Sequence, residues 1–358
     1  MEKSIYRIID ANFNRAREAA RVMEEFCRFG LNCEHFTVSV KQIRHELCGE
    51  IAKLDTGKLI SCRDTTGDVG AGKTIENQMK RKELQDVFTA ACKRLGEALR
   101  VLSEMTQALN PKISAKFEEL RFAGYKLEKD IVLFADCFEK FCKVKFYVII
   151  TNDIPSEILL LAASCAAGGA DCIQLRAKDM DDGELFSTAC EFVRICKDSN
   201  IVSIINDRVD IALAAGADGV HLGQDDLPIE EARKLQSYPL ITGKSTHSME
   251  QLKAACLERP TYAAIGPVFA TGTKPTAPAV TTGYVKEGTE FLADSGICHV
   301  AIGGITLENI HEVMRAGAKT ISVCAAVTHS ADPAGMCRAF RKKMDEFNKN
   351  DAGTNLTR

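Results

Sequence analysis

Hydrophobic residues in the first 140 positions recur with the spacing of an α-helix. One example is the set Ala19, Val22, Phe26 and Phe29, which is interrupted by charged and polar residues. Residues three or four positions apart lie on one face of a helix, so each stretch presents an apolar face to a neighbour. The pattern predicts an all-α domain over residues 1–140.

From Phe146 onward, short β-branched and apolar runs alternate with helical stretches. Such alternation predicts a parallel sheet, and eight runs favour closure into a (β/α)8 TIM barrel over residues 141–350. A doubly wound open sheet has the same local pattern and remains the alternative. The predicted strands are Phe146–Ile150, Cys172–Arg176, Val202–Asn206, Gly219–Gly223, Ile241–Ser245, Tyr262–Gly266, His299–Gly303 and Thr320–Cys324.

The helical region contains an internal repeat. Residues 15–25 and 94–104 share the pattern R-x-x-E-A-x-R-V-x-x-E, at an offset of 79 residues. Such a repeat predicts two related halves packed as a pseudo-twofold bundle. Its Arg21–Glu25 and Arg100–Glu104 pairs have the i,i+4 spacing that is common on solvated helix faces. The repeat therefore leaves a structural or docking role open beside a catalytic one.

Composition narrows the range of partners. A net charge of -3, with 46% hydrophobic and 27% charged residues, provides no general attraction to nucleic acid or to an anionic membrane. The fifteen cysteines form no CxxC motif and no Cys/His cluster with zinc spacing. Together with an N-terminus that lacks an apolar leader, this predicts a cytoplasmic protein that acts on small molecules. The oligomeric state, including a homo-oligomer, stays open.

Polar residues concentrate at the predicted strand ends, where a barrel carries its chemistry. Arg176, Lys178 and Lys274 are three cations that would converge on a polyanion. Asp207 and Asp226 follow neighbouring strands and supply the hard oxygen ligands that Mg²⁺ prefers. Gly303-Gly304 and the backbone after the eighth strand match the usual monophosphate site of such barrels. The pattern predicts two phosphorylated substrates.

Each group also has a purely structural interpretation. Asp207 and Arg208 could form an ion pair that closes a strand, and Gln174 could cap a strand end. His221 lies in an apolar strand and is predicted to be a satisfied core histidine. His247 could cap the helix that begins near Ser248. The glycine pair could serve a tight turn.

Five stretches resemble the thiamine phosphate synthase family. They are QLRAK, INDRVDIALAAGADGVHLGQDDLP, GKSTHS, IGPVFATGTKPTAP and VAIGGITLENI, and the resemblance covers about residues 145–345. It implies a transferase that joins hydroxymethylpyrimidine pyrophosphate to hydroxyethylthiazole phosphate, with a requirement for Mg²⁺. The thiazole nitrogen is then itself the nucleophile, and early loss of pyrophosphate leaves a stabilised pyrimidinyl cation.

The resemblance also assigns roles to residues. It implies pyrimidine pyrophosphate binding by Gln174, Arg176, Lys178 and Asn206, and Mg²⁺ binding by Asp207 and Asp226. Ser245 would lie beside the reacting methylene and Lys274 on the leaving pyrophosphate. The implied contacts of the thiazole phosphate are Thr271, Thr273, Gly304, Cys324 and Ala325. The family more often has a hydroxyl residue at the position of Ala325, so backbone N–H groups would do the binding there.

Two other functions fit the same barrel. A thiazole tautomerase-like enzyme would lack pyrophosphate transfer, and the complete QLRAK and Asn206-Asp207 motifs argue against it. A non-catalytic sensor of thiamine precursors would have no need of both Asp207 and Asp226, which disfavours it.

The N-terminal region resembles the helical domain fused ahead of some thiamine phosphate synthases. The matching stretches are IDANFNRAREAARVMEEFCRF, RDTTGDVG and RLGEALRVLSE, within about residues 4–130. This resemblance implies a hydroxymethylpyrimidine phosphate kinase that uses ATP. GDVGAGKT formally fits a P-loop, but the residues before it make a poor strand, which favours a phosphate-binding loop of another architecture. The candidate contacts there are Arg63, Asp64, Asp68 and Lys73.

Overall fold

In a computed structural model, the chain forms two compact units, Met1–Val132 and Leu133–Arg358. The structure describes all residues except 1, 32, 71–72, 74–79, 236–237, 272–278, 294 and 356–358, and it describes no side chains beyond residue 349. No helix within the described ranges combines the length and apolar character of a membrane-spanning segment.

The first unit consists of helices. In chain order they are α1 (Glu2–Glu25), α2 (Glu34–Ile51), α3 (Thr56–Ser61), α4 (Leu84–Gln107) and α5 (Pro111–Phe141), with a π-helical turn at Phe26–Gly30 after α1. Helix α5 extends past the boundary between the units, so the predicted division between residues 140 and 141 stays a prediction.

The sequence repeat corresponds to the pair of packed helices α1 and α4. Equivalent positions in the two copies are buried, as Ala19 and Ala98 are, and as Met23 and Leu102 are. The repeated charges form the predicted pairs on the surface, Arg21 with Glu25 at 2.9 Å and Arg100 with Glu104 at 2.6 Å. Exposed pairs of this kind contribute little to stability, so the repeat encodes the packed apolar faces.

The predicted apolar stripe is wrong at its C-terminal end. Ala19 and Phe26 are buried, but Phe29 is 69% exposed. The π-helical turn Phe26–Gly30 is the reason, because its wider turn rotates the following residues off the 3.6-residue period.

The second unit is a closed barrel of eight parallel strands in the order β1 to β8. The strands are β1 (Phe146–Thr151), β2 (Cys172–Arg176), β3 (Val202–Asn206), β4 (Gly219–Leu222), β5 (Ile241–Thr246), β6 (Tyr262–Ile265), β7 (Cys298–Ile302) and β8 (Ile321–Val323). Strand β8 pairs with β1 in the register Phe146 to Ile321, which excludes the open-sheet alternative.

Helices connect the strands and cover the barrel. They are α6 (Pro155–Ala167), α7 (Asp182–Asp198), α8 (Val209–Ala215), α9 (Ile229–Leu235), α10 (Met249–Glu258), α11 (Thr281–Leu292), α12 (Ile310–Arg315), α13 (Ala325–Thr328) and α14 (Pro333–Asn355). Their apolar faces and the outward-facing strand residues form one large core, whereas a second, smaller cluster fills the barrel interior.

Aromatic residues close the floor of the barrel. Phe141 is fully buried and stacks on Tyr262 with ring centroids 4.1 Å apart. Tyr147 packs edge-on against both of these rings. The interior is therefore filled below the level of Tyr262, and space remains only toward the C-terminal ends of the strands.

Candidate functional site

One cavity of ≈ 350 Å³ lies at the C-terminal ends of the strands, and all eight strands contribute to its wall. Side chains alternate between the two faces of a strand, so Gln174 and Arg176 on β2 both point inward. The predicted site residues that line this cavity are Gln174, Arg176, Asn206, Ser245, Thr271, Gly304, Cys324 and Ala325.

The cation at the end of β2, Arg176, and the one that follows the strand, Lys178, have different surroundings. Arg176 lines the cavity and forms no ion pair with any carboxylate of the described residues. Lys178 lies 3.3 Å from the carboxylate of Asp207, measured from Nζ to Oδ2. The charge of Arg176 is therefore available to an anionic ligand, and that of Lys178 already balances an acidic group.

Two carboxylates, those of Asp207 and Asp226, lie close together beside Lys178. Burial raises the pKa of Asp207, and the neighbouring Asp226 raises it further, whereas Lys178 opposes the shift. The backbone of Asp207 is left-handed with φ 60°, a conformation that Asp tolerates better than most residues, and its N–H donates to the His221 carbonyl at 2.8 Å. Asp226 is held by the N–H of Gly223, which donates to its carboxylate. Two such acids in contact favour a cation between them.

The alternative interpretation of Asp207 and Arg208 as an ion pair is wrong. Arg208 instead pairs with Asp182 on α7 and with Asp210 on α8. Asp207 is left facing Lys178 and Asp226. Among the described residues, no group of three or more His, Cys, Asp or Glu gathers as a metal site.

The strand-cap interpretation of Gln174 is also wrong. Its side chain is 1% exposed, and its Nε2 donates to the Tyr147 hydroxyl at 2.6 Å inside the barrel. Its amide is therefore held in a fixed position on the cavity wall.

The glycine pair after β7 forms another part of the cavity wall. Gly303 and Gly304 have φ 108° and 63°, and a Cβ on Gly304 would lie 2.6 Å from the Ala270 carbonyl oxygen. Asn309 donates to the Gly304 carbonyl at 2.9 Å and so fixes this turn. Only glycine satisfies both the backbone conformation and the close approach, which leaves the backbone exposed to a ligand.

Two predicted contacts lie outside the described residues. They are Thr273, predicted to bind the thiazole phosphate, and Lys274, predicted to contact the leaving pyrophosphate, whereas Thr271 lines the cavity. Cys324 and Ala325 line the same wall as Gly304, at the start of α13.

The prediction missed a buried polar chain across the cavity floor. The Tyr147 and Tyr262 hydroxyls lie 3.0 Å apart, and Tyr262 Oη lies 2.9 Å from His221 Nδ1. His221 Nε2 lies 2.8 Å from Ser245 Oγ. We call Gln174, Tyr147, Tyr262, His221 and Ser245 the floor chain. The sequence did not indicate its two tyrosines, because they lie in runs that are typical of ordinary apolar strands.

The structure confirms one expectation for the two histidines and corrects another. His221 is satisfied, as predicted, but it lines the cavity through its contact with Ser245. His247 does not cap α10, because Ser248 does so by accepting from the Gln251 N–H. The His247 ring instead places Nδ1 against the Gly266 carbonyl. A carbonyl only accepts, so Nδ1 carries the proton in this contact.

Ser322 on β8 is a further polar residue that the sequence did not indicate. Its side chain is 1% exposed and lines the cavity, and its Oγ has no hydrogen-bond partner among the described residues. A buried hydroxyl without a partner is unfavourable, so this group favours a ligand or water in the cavity.

In the first unit, the predicted loop residues lie against α1. The Arg63 guanidinium forms two hydrogen bonds to the Asp10 carboxylate, at 2.8 and 2.6 Å. Arg7 donates to the Asp64 carbonyl at 2.9 Å, and the Asp64 carboxylate accepts from the Gly67 N–H at 2.8 Å. Asp10 is 7% exposed and was not among the predicted residues.

The ordinary P-loop interpretation is excluded by the segment that precedes the loop. Residues Thr56–Ser61 are helical rather than a buried strand. The Asp68 carboxylate accepts from the Gly70 N–H at 2.9 Å, and Lys73 is exposed. Neither residue forms a hydrogen bond or ion pair with Asp10 or Arg63 in the described structure.

The chain is similar to two families over separate ranges. The family of thiamine monophosphate synthase matches residues 146–327, and the ThiD2 family matches residues 7–130. These ranges coincide with the barrel and with the helical unit.

Full-length relatives share both ranges. A thiamine-phosphate synthase of Prochlorococcus marinus (strain MIT 9313) is 36% identical over 92% of this chain and 93% of its own length. The one of Thermosynechococcus vestitus is 35% identical over 95% of both chains. Among solved structures, a thiamine phosphate pyrophosphorylase from Pyrococcus furiosus is 32% identical with a TM-score of 0.53, and the match covers 57% of this chain and 97% of that one.

Proposed function

The chain belongs to the thiamine-phosphate synthase family and is a transferase, and we propose that its barrel joins hydroxymethylpyrimidine pyrophosphate to hydroxyethylthiazole phosphate. The observation that carries this proposal is the cavity at the strand ends, because its wall includes both Arg176 and the Gly304 turn. The guanidinium of Arg176 suits a pyrophosphate, and the exposed backbone of the Gly304 turn suits a monophosphate.

Mg²⁺ fits the pair Asp207 and Asp226, of which Asp207 directly neighbours Asn206 of the cavity wall. Asp207 and Asp226 present oxygen ligands in contact with each other, and the pKa of Asp207 is raised first by burial and then by Asp226, two effects that a bound cation would oppose. We assign the metal to these two residues. When bound, Mg²⁺ supplies positive charge that neutralises the pyrophosphate group.

The chain's own residues then promote departure of pyrophosphate. The bond between the pyrimidine methylene and the pyrophosphate oxygen breaks, and its electron pair leaves with the oxygen. Arg176 stabilises the charge that develops there, Lys178 contributes to the same charge while paired with Asp207, and Gln174 and Asn206 orient the pyrimidine. The thiazole nitrogen forms the new bond to the methylene carbon, while Gly304, Cys324 and Ala325 hold its phosphate.

Metal removal tests this assignment directly. Purified full-length protein with both substrates and Mg²⁺ should form thiamine phosphate, and EDTA in excess should abolish the product. Restoring Mg²⁺ should restore it, which excludes damage to the protein. Folded protein that binds a substrate without turnover would instead support the precursor sensor, and interconversion of thiazole tautomers without coupling would support the tautomerase.

For the helical unit we propose transfer of the γ-phosphoryl group of ATP to hydroxymethylpyrimidine phosphate. ADP and the pyrophosphate substrate of the barrel would be the products. The similarity to the ThiD2 family supports a function separate from the barrel. The cluster of Arg7, Asp10, Arg63 and Asp64 supports phosphate chemistry, because it places two guanidinium groups beside two carboxylates.

The two halves of the repeat differ at this cluster. Asp10 of α1 corresponds to Thr89 of α4, and the buried Glu24, which pairs with Arg44 at 3.0 Å, corresponds to Ser103. At these two pairs of positions, the buried acids lie on α1 and not on α4. We accordingly assign the kinase site to the first half, beside the Arg63 loop.

Replacing Arg63 by alanine should separate the two activities. Product formation from ATP and the pyrimidine monophosphate should fall at least about tenfold, because a charge-assisted contact is lost. Product formation from the pyrimidine pyrophosphate should be unchanged. Arg100→Ala is the matched control, since Arg100 is an exposed arginine on α4 and its loss should alter neither rate. Equal rates of Arg63→Ala and the unsubstituted chain with the monophosphate would contradict this placement.

A further inference from the structure

The floor chain contains more hydroxyl groups than the reaction needs for binding. Ser245, Tyr147 and Tyr262 all line the cavity, and the two tyrosines are only 1% and 0% exposed. Burial raises the pKa of both tyrosines well above the ordinary value, so both hydroxyls keep their protons. Each hydroxyl has only one proton to donate, so the floor chain can be ordered in one of two directions of donation.

Gln174 fixes one end of the chain. Its Nε2 only donates, so the Tyr147 oxygen accepts at 2.6 Å. If Tyr147 then donates to Tyr262, Tyr262 donates to His221 Nδ1 and His221 Nε2 donates to Ser245 Oγ. Every hydrogen along this order has an oxygen or nitrogen acceptor.

The reverse order is less favourable. There Ser245 would donate to His221 and His221 to Tyr262, and Tyr262 would donate to Tyr147, which already accepts from Gln174. The Tyr147 hydrogen would be left with the sulfur of Cys172, a weak acceptor. Because a buried hydroxyl without a good acceptor is unfavourable, the first order is preferred.

We propose that Tyr262 and His221 are positioning residues that hold Ser245 Oγ as an acceptor and so direct its hydrogen into the cavity. This inference rests on the proposed synthase function and extends it. Ser245 then offers a donor to the oxygen that departs with the pyrophosphate, and no proton needs to be transferred. Close packing supports a fixed arrangement, since Tyr262 is stacked on Phe141 and Gly243 lies against the Tyr262 and His221 rings.

A double-mutant cycle on kcat tests the coupling. Tyr262→Phe should lower kcat about tenfold when Ser245 is present, because the hydrogen-bond donor to His221 is lost. In the Ser245→Ala background, the same substitution should change kcat less than twofold, since no hydroxyl remains to be oriented. A merely structural tyrosine would cause the same loss in both backgrounds.

Tyr238→Phe is the matched control. The Tyr238 hydroxyl is bonded to backbone carbonyls of Ala212 and Ala217, each at 3.1 Å, and the residue does not line the cavity. Its removal should leave kcat unchanged. If Tyr262→Phe does not fold, His221→Gln interrupts the same chain and is measured by the same cycle.

The outcomes distinguish failure of this inference from failure of the proposed function on which it rests. Equal losses in the two backgrounds, or full activity of Tyr262→Phe, would overturn the positioning role and leave the synthase assignment intact. No thiamine phosphate from the unsubstituted chain and from Tyr238→Phe would overturn the proposed function, and this inference with it.

Discussion

Replacing Arg176 by alanine should lower kcat of thiamine phosphate formation by about 10²–10³-fold, the usual loss when one electrostatic contact to a developing charge is removed. Arg176 lies at the end of β2 on the cavity wall and has no carboxylate partner among the described residues. Its charge is therefore not balanced within the protein. We expect kcat and kcat/KM to fall together, because the contact strengthens as pyrophosphate departs.

Steady-state kinetics with both substrates varied would measure this effect. Arg194→Ala is the matched control, since Arg194 is an exposed arginine on α7 that pairs with Glu191 and Asp198. It should keep kcat within about twofold. A rise in KM with unchanged kcat for Arg176→Ala would assign Arg176 to substrate binding alone and would contradict its role in leaving-group stabilisation.

Gly243→Ala should destabilise the barrel and damage its site at the same time. A Cβ at this position would lie 2.2 Å from Tyr262 Cζ and 2.6 Å from His221 Nδ1. Tyr262 cannot move away from the added Cβ, because its ring is stacked on Phe141 and its hydroxyl is hydrogen-bonded to Tyr147. Overpacking of this kind costs about 1–3 kcal/mol of the free energy of unfolding.

Chemical denaturation gives the free energy of unfolding, and kcat measured on the folded fraction shows damage to the floor chain. Gly183→Ala is the control, since Gly183 lies in the first turn of α7 and a Cβ there meets nothing within 4 Å. That change should be neutral or stabilising by up to about 1 kcal/mol. Unaltered stability and kcat of Gly243→Ala would show that the two rings yield easily, and would weaken the argument for a rigid floor chain.

Local sequence was sufficient for the strands of the barrel. Runs such as CIQLR and VSIIN are rich in apolar and β-branched residues and end in a polar residue, so their ends could be predicted to within a residue. The same regularity placed Gln174, Arg176, Asn206 and Ser245 at the C-terminal ends, and in the structure all four line one cavity. The predicted positions agree with the structure because the C-terminal ends of neighbouring parallel strands lie at the same edge of the barrel.

Local sequence was not sufficient where a contact joins distant strands. Tyr147 and Tyr262 are 115 residues apart, and each reads as an ordinary strand residue until the barrel closes. Pairing of Arg208 with Asp182 rather than Asp207 likewise depends on how the loops after β2 and β3 meet. In the helical unit, Asp10 and Arg63 are 53 residues apart, and only folding brings them together.

The sequence by itself determined the barrel, the repeated helices and the set of polar groups at the strand ends, because periodicity and alternation are properties of neighbouring residues. Tertiary structure decided which of those groups face each other, which charge stays unbalanced and which buried hydroxyls form a chain. These properties depend on distances between segments far apart in the chain, and such distances are set only when the cores pack and the barrel closes.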